Sequence, residues 1–276
     1  MTHIRRAAVA GLFYPEDPEE LASAVKHLLA DAPLPATARG TPKALIVPHA
    51  GYIYSGPVAA SAYARLRTLA GKAKRVVLLG PCHRVPLRGL AVSGADAFET
   101  PLGVVPVDKS AVADALSLPQ VRIFEATHAN EHSLEVHLPF LQETLGEFAL
   151  VPIVVGDASA EEVAEVLERL WGGPETIVVV SSDLSHYHDY ESARQIDATT
   201  CRAIEALDPG DIGFEQACGG VAVGGLLTVA RRRALDVVTL DLRNSGDTAG
   251  DRRRVVGYGA WMFSDRGQSR SEGLRV

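Results

Sequence analysis

The chain has 276 residues, 47% of them hydrophobic and 22% charged, with a formal net charge of −7. That length suits one large α/β domain or two small ones, with enough apolar residues for a sizeable core. The acidic balance argues against nonspecific nucleic-acid binding, which needs a basic footprint. Three cysteines, Cys82, Cys201 and Cys218, are too few for a disulfide framework and point to a reducing cytoplasm.

The opening MTHIRRAAVAGLFYPEDPEE lacks the apolar centre of a signal peptide. No apolar run approaches the roughly 18 residues of a membrane span. Leu21, Val25, Leu28 and Leu29 carry helical spacing and predict a helix over 18–30. A Pro/Gly/Thr-rich connector over 31–43 leads into ALIVP, a short buried strand. Residues 56–71 read as a helix with a glycine stop, and RVVLLG (75–80) as a second buried strand. GLAVSG and GVVPV are shorter strands, the latter after a TPLG turn. HSLEVHLPFLQETLG (132–146) reads as an amphipathic helix, kinked or broken at Pro139. FALVPIVVG is strand-like, 159–172 is a strongly patterned helix, and ETIVVVSSD (175–183) is the most β-branched strand. Helices over 191–207 and 222–234 precede two closing strands, LDVVTLDLRNSGD and RVVGYGAWMF. The expected architecture is one α/β domain over 1–263, with a mixed, largely parallel sheet covered by helices on both faces. The tail 264–276 is expected to be disordered.

In open sheets of this kind ligands bind beyond the carboxyl ends of the strands. His49 follows ALIV, and Cys82 and His83 follow VVLL. Ser181, Ser182, Asp183 and His186 follow TIVVV, and Asn244, Ser245, Asp247 and Thr248 follow VVTLDLR. If those strands are parallel neighbours, the four exits share one rim. Two histidines and a carboxylate there suit a divalent metal, with iron, zinc or manganese favoured over calcium. Three ligands leave positions open for a substrate or dioxygen. The plainer alternative is that each histidine caps or hydrogen-bonds locally.

Asp183 and His186 are three residues apart, so a helical turn would put them on one face. His186 is then a candidate general acid or base, with Asp183 fixing its tautomer. Equally, Ser182 or Asp183 would cap a helix beginning at SSDLSHYHDY. His188 reads as surface. His132 and Glu135 would point together, whereas His132 and His137 are ill-spaced for joint ligation. The alternative for that segment is a solvated, acid-rich helix start. Cys82 and His83 are adjacent and face opposite ways on an extended chain. A thiol hydrolase would therefore need His49 or His186 as partner. Cys218, in ACGGVAVGG, precedes glycines that permit close backbone approach and reads as a small packed thiol.

The segments AGLFYP, VPHAGYIYSGPVAASAY, LLGPCHRVPLRGLAVS, TPLG, NEHSLEVHLPF, VVSSDLSHY and NSGDTAGD…VVGYGAW together resemble the Memo family, over about residues 6–263. That family is similar in fold to the class III extradiol dioxygenases of the LigB-like group. Those enzymes hold non-haem Fe(II) with two histidines and a carboxylate and use a further histidine as acid/base. The resemblance implies metal roles for His49 and His83, puts Asp183 and His186 in the same pocket, and sets His132 near it. Animal members carry a cysteine in the last loop, which this chain lacks. Counting back from VVGY reaches Thr248, a weak ligand, with Asp247 beside it, and Asp247 would complete a two-His, one-carboxylate set.

The cofactor so implied is a divalent metal, Fe(II) first and copper or zinc next. Tyr52, Tyr54, Tyr187, Cys82 and Thr248 are the expected substrate contacts, with catalysis assigned to His186, Asp183 and His132. Family association adds an AMMECR-type protein and a radical SAM protein as partners. Three functions compete: a metal-dependent redox or oxygen-handling enzyme acting on an aromatic or enolic molecule; a non-catalytic protein binding a peptide or a basic partner in the same cleft; and a metal-dependent hydrolase using a bound water and His186.

Overall fold

A computed structural model describes residues 2–33 and 40–266. The centre of the connector (34–39) and most of the tail (267–276) lie outside the described residues. In chain order the elements are β1 (Ile4–Arg5), α1 (Pro18–Asp31), β2 (Ala44–Val47), α2 (Tyr52–Leu66), β3 (Arg75–Pro81), β4 (Leu90–Val92), β5 (Ala97–Thr100), β6 (Gly103–Pro106), α3 (Lys109–Leu116), β7 (Val121–Ile123) and α4 (Ala126–Ala129). They continue with α5 (Leu138–Leu145), β8 (Ala149–Val155), α6 (Ala160–Leu170), β9 (Thr176–Ser181), β10 (His186–His188), α7 (Tyr190–Glu205), α8 (Gly220–Arg232), β11 (Leu235–Asn244), α9 (Ser245–Thr248) and β12 (Val255–Asp265). No helix among the described residues is long and apolar enough to cross a membrane.

The main sheet runs β10-β12-β2-β9-β3-β8-β4-β7, with β11 also paired to β12. Its centre, β2-β9-β3-β8, is parallel. Antiparallel strands flank that centre, β12 beside β2 and β4 beside β8. The fold is therefore mixed α/β, as expected, with a parallel core and antiparallel flanking strands. Every residue of β2 and β9 is buried. Their sequences, ALIV and TIVVVS, are continuous apolar runs rather than alternating ones because both faces are covered. A separate small sheet has the order β1-β5-β6.

Local chemistry sets the helix starts. Asp17 caps α1 by accepting from Glu19 and Glu20 N–H, with Pro18 at the first position. Ser159 and Glu162 form a reciprocal capping box on α6. Helix α2 begins earlier than expected, at Tyr52, whose N–H is held by the carbonyl of Phe13 at 2.8 Å. The predicted helix over 132–146 is broken: a 3-10 turn at Glu135–His137 is followed by α5, which has Pro139 in its first turn where no N–H is needed. No helix begins at Ser182 or Asp183. The chain stays extended into β10, and α7 begins only at Tyr190, capped by Asp189. Asp183 and His186 accordingly share no helical turn.

The expected solvated, acid-rich helix start is also overturned. Glu131 and Glu135 are buried. Glu135 is ion-paired with buried Arg5 and accepts from Ala8 N at 2.8 Å and Val9 N at 3.0 Å, and also from the Tyr14 hydroxyl. Arg5 also donates to the carbonyls of His128 at 3.0 Å and Glu131 at 2.7 Å. The N-terminal AGLFYP segment is thereby strapped across the 128–135 loop. Arg5→Met removes the buried counter-charge of Glu135 and is expected to cost about 3–5 kcal/mol, as for a broken buried ion pair. The urea midpoint should fall, and Glu135→Gln on the same background should recover part of the loss. A loss below about 1 kcal/mol would mean that the remaining neutral donors suffice.

Candidate metal centre

Because β2, β9 and β3 are parallel and adjacent in that order, their exits deliver His49, Asp183 and His83 to one edge. A cavity of about 1070 Å³ opens there. His49, His83 and His132 face one another across its floor. Their ring centroids are 5.1 Å apart for His49–His83, 5.4 Å for His49–His132 and 4.7 Å for His83–His132. One nitrogen from each ring lies within 4.8 Å of the other two. His132 comes from the loop held down by Arg5, not from a strand end.

Two of the rings are fixed from behind. Glu131 accepts from His83 N at 2.7 Å, from Ser133 N at 3.0 Å and from His132 N at 3.0 Å, and pairs with His83 Nδ1 at 2.8 Å. Burial pushes the Glu131 carboxyl up, but the ring and backbone hydrogen bonds from His83, with that of Ser133, outweigh it and hold the pKa at about 2. An ionised carboxylate only accepts, so His83 carries its proton on Nδ1 and leaves the Nε2 lone pair free. The Ser181 hydroxyl gives its one proton to the Ser133 carbonyl at 2.7 Å. His49 Nδ1, 2.6 Å from that hydroxyl oxygen, must then be the donor, which frees its Nε2 as well.

Burial, reinforced by the neighbouring histidines, pushes His49 well below the ordinary imidazole range. Burial, with His83 next, lowers His132 to about 4. Both rings are therefore neutral near pH 7, as ligands must be. The Nδ1 of His132 is buried and makes no hydrogen bond; Glu131 Oε1 is 3.3 Å away but badly angled for one.

Asp183 stands at the centre. Its Oδ1 accepts from His49 N at 2.7 Å, and its Oδ2 is 3.9 Å from His49 Nε2. Burial raises its pKa to about 7, with the His49 N–H holding it back in part. His186 is also on the cavity wall, where burial lowers its pKa. Tyr54 and Tyr187 line the mouth with Phe13 and Phe214. Tyr187 has φ 63°, rare for a residue with a side chain, and Arg254 lies 5.1 Å over its ring.

Four expected contacts are elsewhere, and none of them lines the cavity. Asp247 is not a ligand in this arrangement: its oxygens accept from the Tyr190 hydroxyl at 2.5 Å and from Asn244 N at 3.0 Å, as part of the capping box that starts α9. Thr248 donates to the Ser245 carbonyl at 3.3 Å. Tyr52 is buried core, packed on Phe140 and donating to the Val136 carbonyl at 2.7 Å. The Cys82 thiol donates to the Val85 carbonyl at 2.9 Å. The sequence reading places Ser181 on the rim without a role, misses Glu131 and Phe13, and takes Cys218 for packing. The Cys218 thiol, pushed up to about 12 by burial and by Asp183, lines the cavity 3.4 Å from His49 Nε2.

The family model described as Memo-like protein matches residues 5–262. A MEMO1 family protein of Aquifex aeolicus is 38% identical over 271 residues, covering 94% of this chain and 99% of its own. One from Thermotoga maritima is 38% identical over 278 residues, covering 92% and 97%. A third, from Methanopyrus kandleri, is 38% identical over 285 residues, covering 94% and 98%. A solved structure of an uncharacterized Escherichia coli K12 protein aligns with a TM-score of 0.49 at 12% identity, covering 79% of this chain and 98% of that one.

Two buried histidines behind the centre make stability depend on pH. Burial lowers His128 to about 4 and His137 to about 3. Below about 6.5 the unfolded chain takes up protons that these folded histidines refuse, so each costs stability on the order of 1 kcal/mol per pH unit down to its folded pKa. Asp183, held near 7, acts in the opposite sense between 3.8 and about 7. The clean measure is therefore a difference: urea midpoints from pH 6.5 to 4 should fall less steeply in His137→Gln than in the parent chain. Equal slopes would show that His137 does not refuse the proton.

Proposed function

The chain belongs to the Memo family, and on that footing we propose that it binds a divalent transition metal on His49, His83 and His132 and acts on a small organic molecule in the adjoining cavity. The observation that carries this reading is the convergence of three imidazole nitrogens within 4.8 Å of one another, with two tautomers set from behind so that lone pairs are free. The buried Nδ1 of His132 makes no hydrogen bond among the described residues, although the Glu131 carboxylate lies 3.3 Å from it. Neutral imidazole donors suit zinc, copper and iron; the family resemblance puts Fe(II) first among them. A bound ion of this kind supplies Lewis acidity and, where redox-active, an electron path to substrate or dioxygen.

The chain's own groups do the rest. Asp183, with a pKa of about 7, holds or releases a proton beside His49. His186 offers a second proton-transfer site on the wall. Phe13, Tyr54, Tyr187 and Phe214 give flat apolar faces to an aromatic or enolic substrate. Oxygen-handling or other redox chemistry is the favoured class, in a cytoplasmic setting, with an AMMECR-type and a radical SAM protein as functional neighbours. A second reading, peptide binding in the same cleft, is favoured by the exposure of Phe214 (76%) and Tyr187 (64%) at the mouth.

Metal analysis after anaerobic purification should find about one equivalent in the parent chain and almost none in the His49→Ala/His83→Ala variant. Equal trace contents would overturn the metal reading and leave the peptide one. Oxygen uptake with a panel of catechols then separates oxygenase from hydrolase chemistry. Glu131→Gln cannot accept from both His83 donors on each oxygen, so metal affinity should fall about 10–100-fold, the usual cost of losing a ligand's supporting partner. Unchanged affinity would show that the carboxylate does not orient His83.

A further inference from the structure

Cys218 is placed by backbone geometry, not by packing alone. Its N–H is held by the Asp183 carbonyl at 3.2 Å, and Gly219 N donates to Ser182 Oγ at 2.9 Å. A Cβ at position 219 would come 2.5 Å from the Ser181 carbonyl oxygen, so only glycine lets this loop lie against the exit of β9. The result is a thiol on the cavity wall whose sulfur is 3.4 Å from His49 Nε2, the nitrogen that Ser181 leaves free.

We propose that Cys218 is a further metal ligand, a thiolate that joins the three imidazoles and sets which metal the centre prefers. This rests on the three-histidine reading above. The 3.4 Å separation is close to the nitrogen–sulfur distance expected when bonds of about 2.0–2.1 Å and 2.3 Å meet near a tetrahedral angle. The sulfur touches the donor set through His49 alone, and the Cys218 side chain has one torsion to bring it further in. On coordination the S–H bond breaks, the metal–sulfur bond forms, and the proton leaves through the open cavity to solvent. A soft thiolate beside three imidazoles selects zinc, iron or copper and discriminates against magnesium and calcium. Both thiols reach a backbone carbonyl, Cys82 that of Val85 and Cys218 that of Asp183 at 3.6 Å, but Cys218 lines the cavity and Cys82 does not.

Cobalt(II) added to the metal-free full chain tests this by absorption. The expected result has visible d–d bands together with a near-ultraviolet sulfur-to-cobalt band. The sulfur band should persist in Cys82→Ser and vanish in Cys218→Ser and Cys218→Ala, where the d–d bands remain. Zinc affinity of the Cys218 variants should fall about tenfold or more. Visible bands that depend on His49 and His83 without any sulfur band in the parent chain would overturn the thiolate and leave the three-histidine centre standing. A sulfur band that survives in both Cys218 variants would overturn it too. An absence of all cobalt bands in the parent chain would remove the three-histidine reading and this inference with it. The parent spectrum decides even if a variant fails to fold.

Discussion

The buried carboxylate of Glu131 is the constraint on which the centre depends. It receives N–H groups from His83, His132 and Ser133 and orients the His83 ring. A buried carboxylate normally protonates to escape its desolvation cost. Here the donors outweigh that cost and keep it ionised. Its charge is then fixed directly behind the His83 and His132 rings of the candidate centre. Arg5 gives its charge to Glu135 and only a hydrogen bond to the Glu131 carbonyl, so the Glu131 charge has no cationic partner in Arg5. A buried charge of this kind is stabilised when a metal sits on the far side of the histidines.

Topology does the gathering. His49 and His83 are far apart in sequence, yet each ends a strand paired to β9. Parallel pairing makes those ends coincide, and β9 itself adds Ser181 and Asp183. His132 cannot arrive this way, because it lies in a loop. Its position is set by the strap of residues 5–14 on Glu135, which explains why a conspicuous motif such as AGLFYP sits far along the chain from the residues it serves.

Much of this was legible because it is local. ALIV, RVVLLG and TIVVVS are unbroken apolar runs, and a histidine just beyond a buried strand stands out. What was not legible depended on distant partners. Glu135 looks like a solvated acid until Arg5, 130 residues away, is placed against it. Asp247 looked like a ligand by position, although Asn244 followed three residues later by Asp247 is itself a capping pattern. SSDLSHYHDY also reads as a helix start capped by Ser182 or Asp183, but Asp189 takes that role, because pairing with β12 keeps 186–188 extended. Glu131 could not be singled out, since nothing in NEHSLE says which acid turns inward.

The two carboxylates nearest the histidines divide the work through their surroundings. Both are buried, yet Glu131 sits at about 2 and Asp183 at about 7. Burial is the largest influence on both. At Glu131 the backbone and ring N–H of His83 with the Ser133 N–H outweigh it, whereas at Asp183 the backbone N–H groups of His49 and Ala50 do not. One group is therefore held as an anion behind the histidines. The other has its pKa near neutral on the cavity wall, beside His49. Different surroundings thus push two neighbouring buried acids apart. In this fold the separation comes from placing one acid in a loop tied down by Arg5 and the other just beyond a fully buried strand.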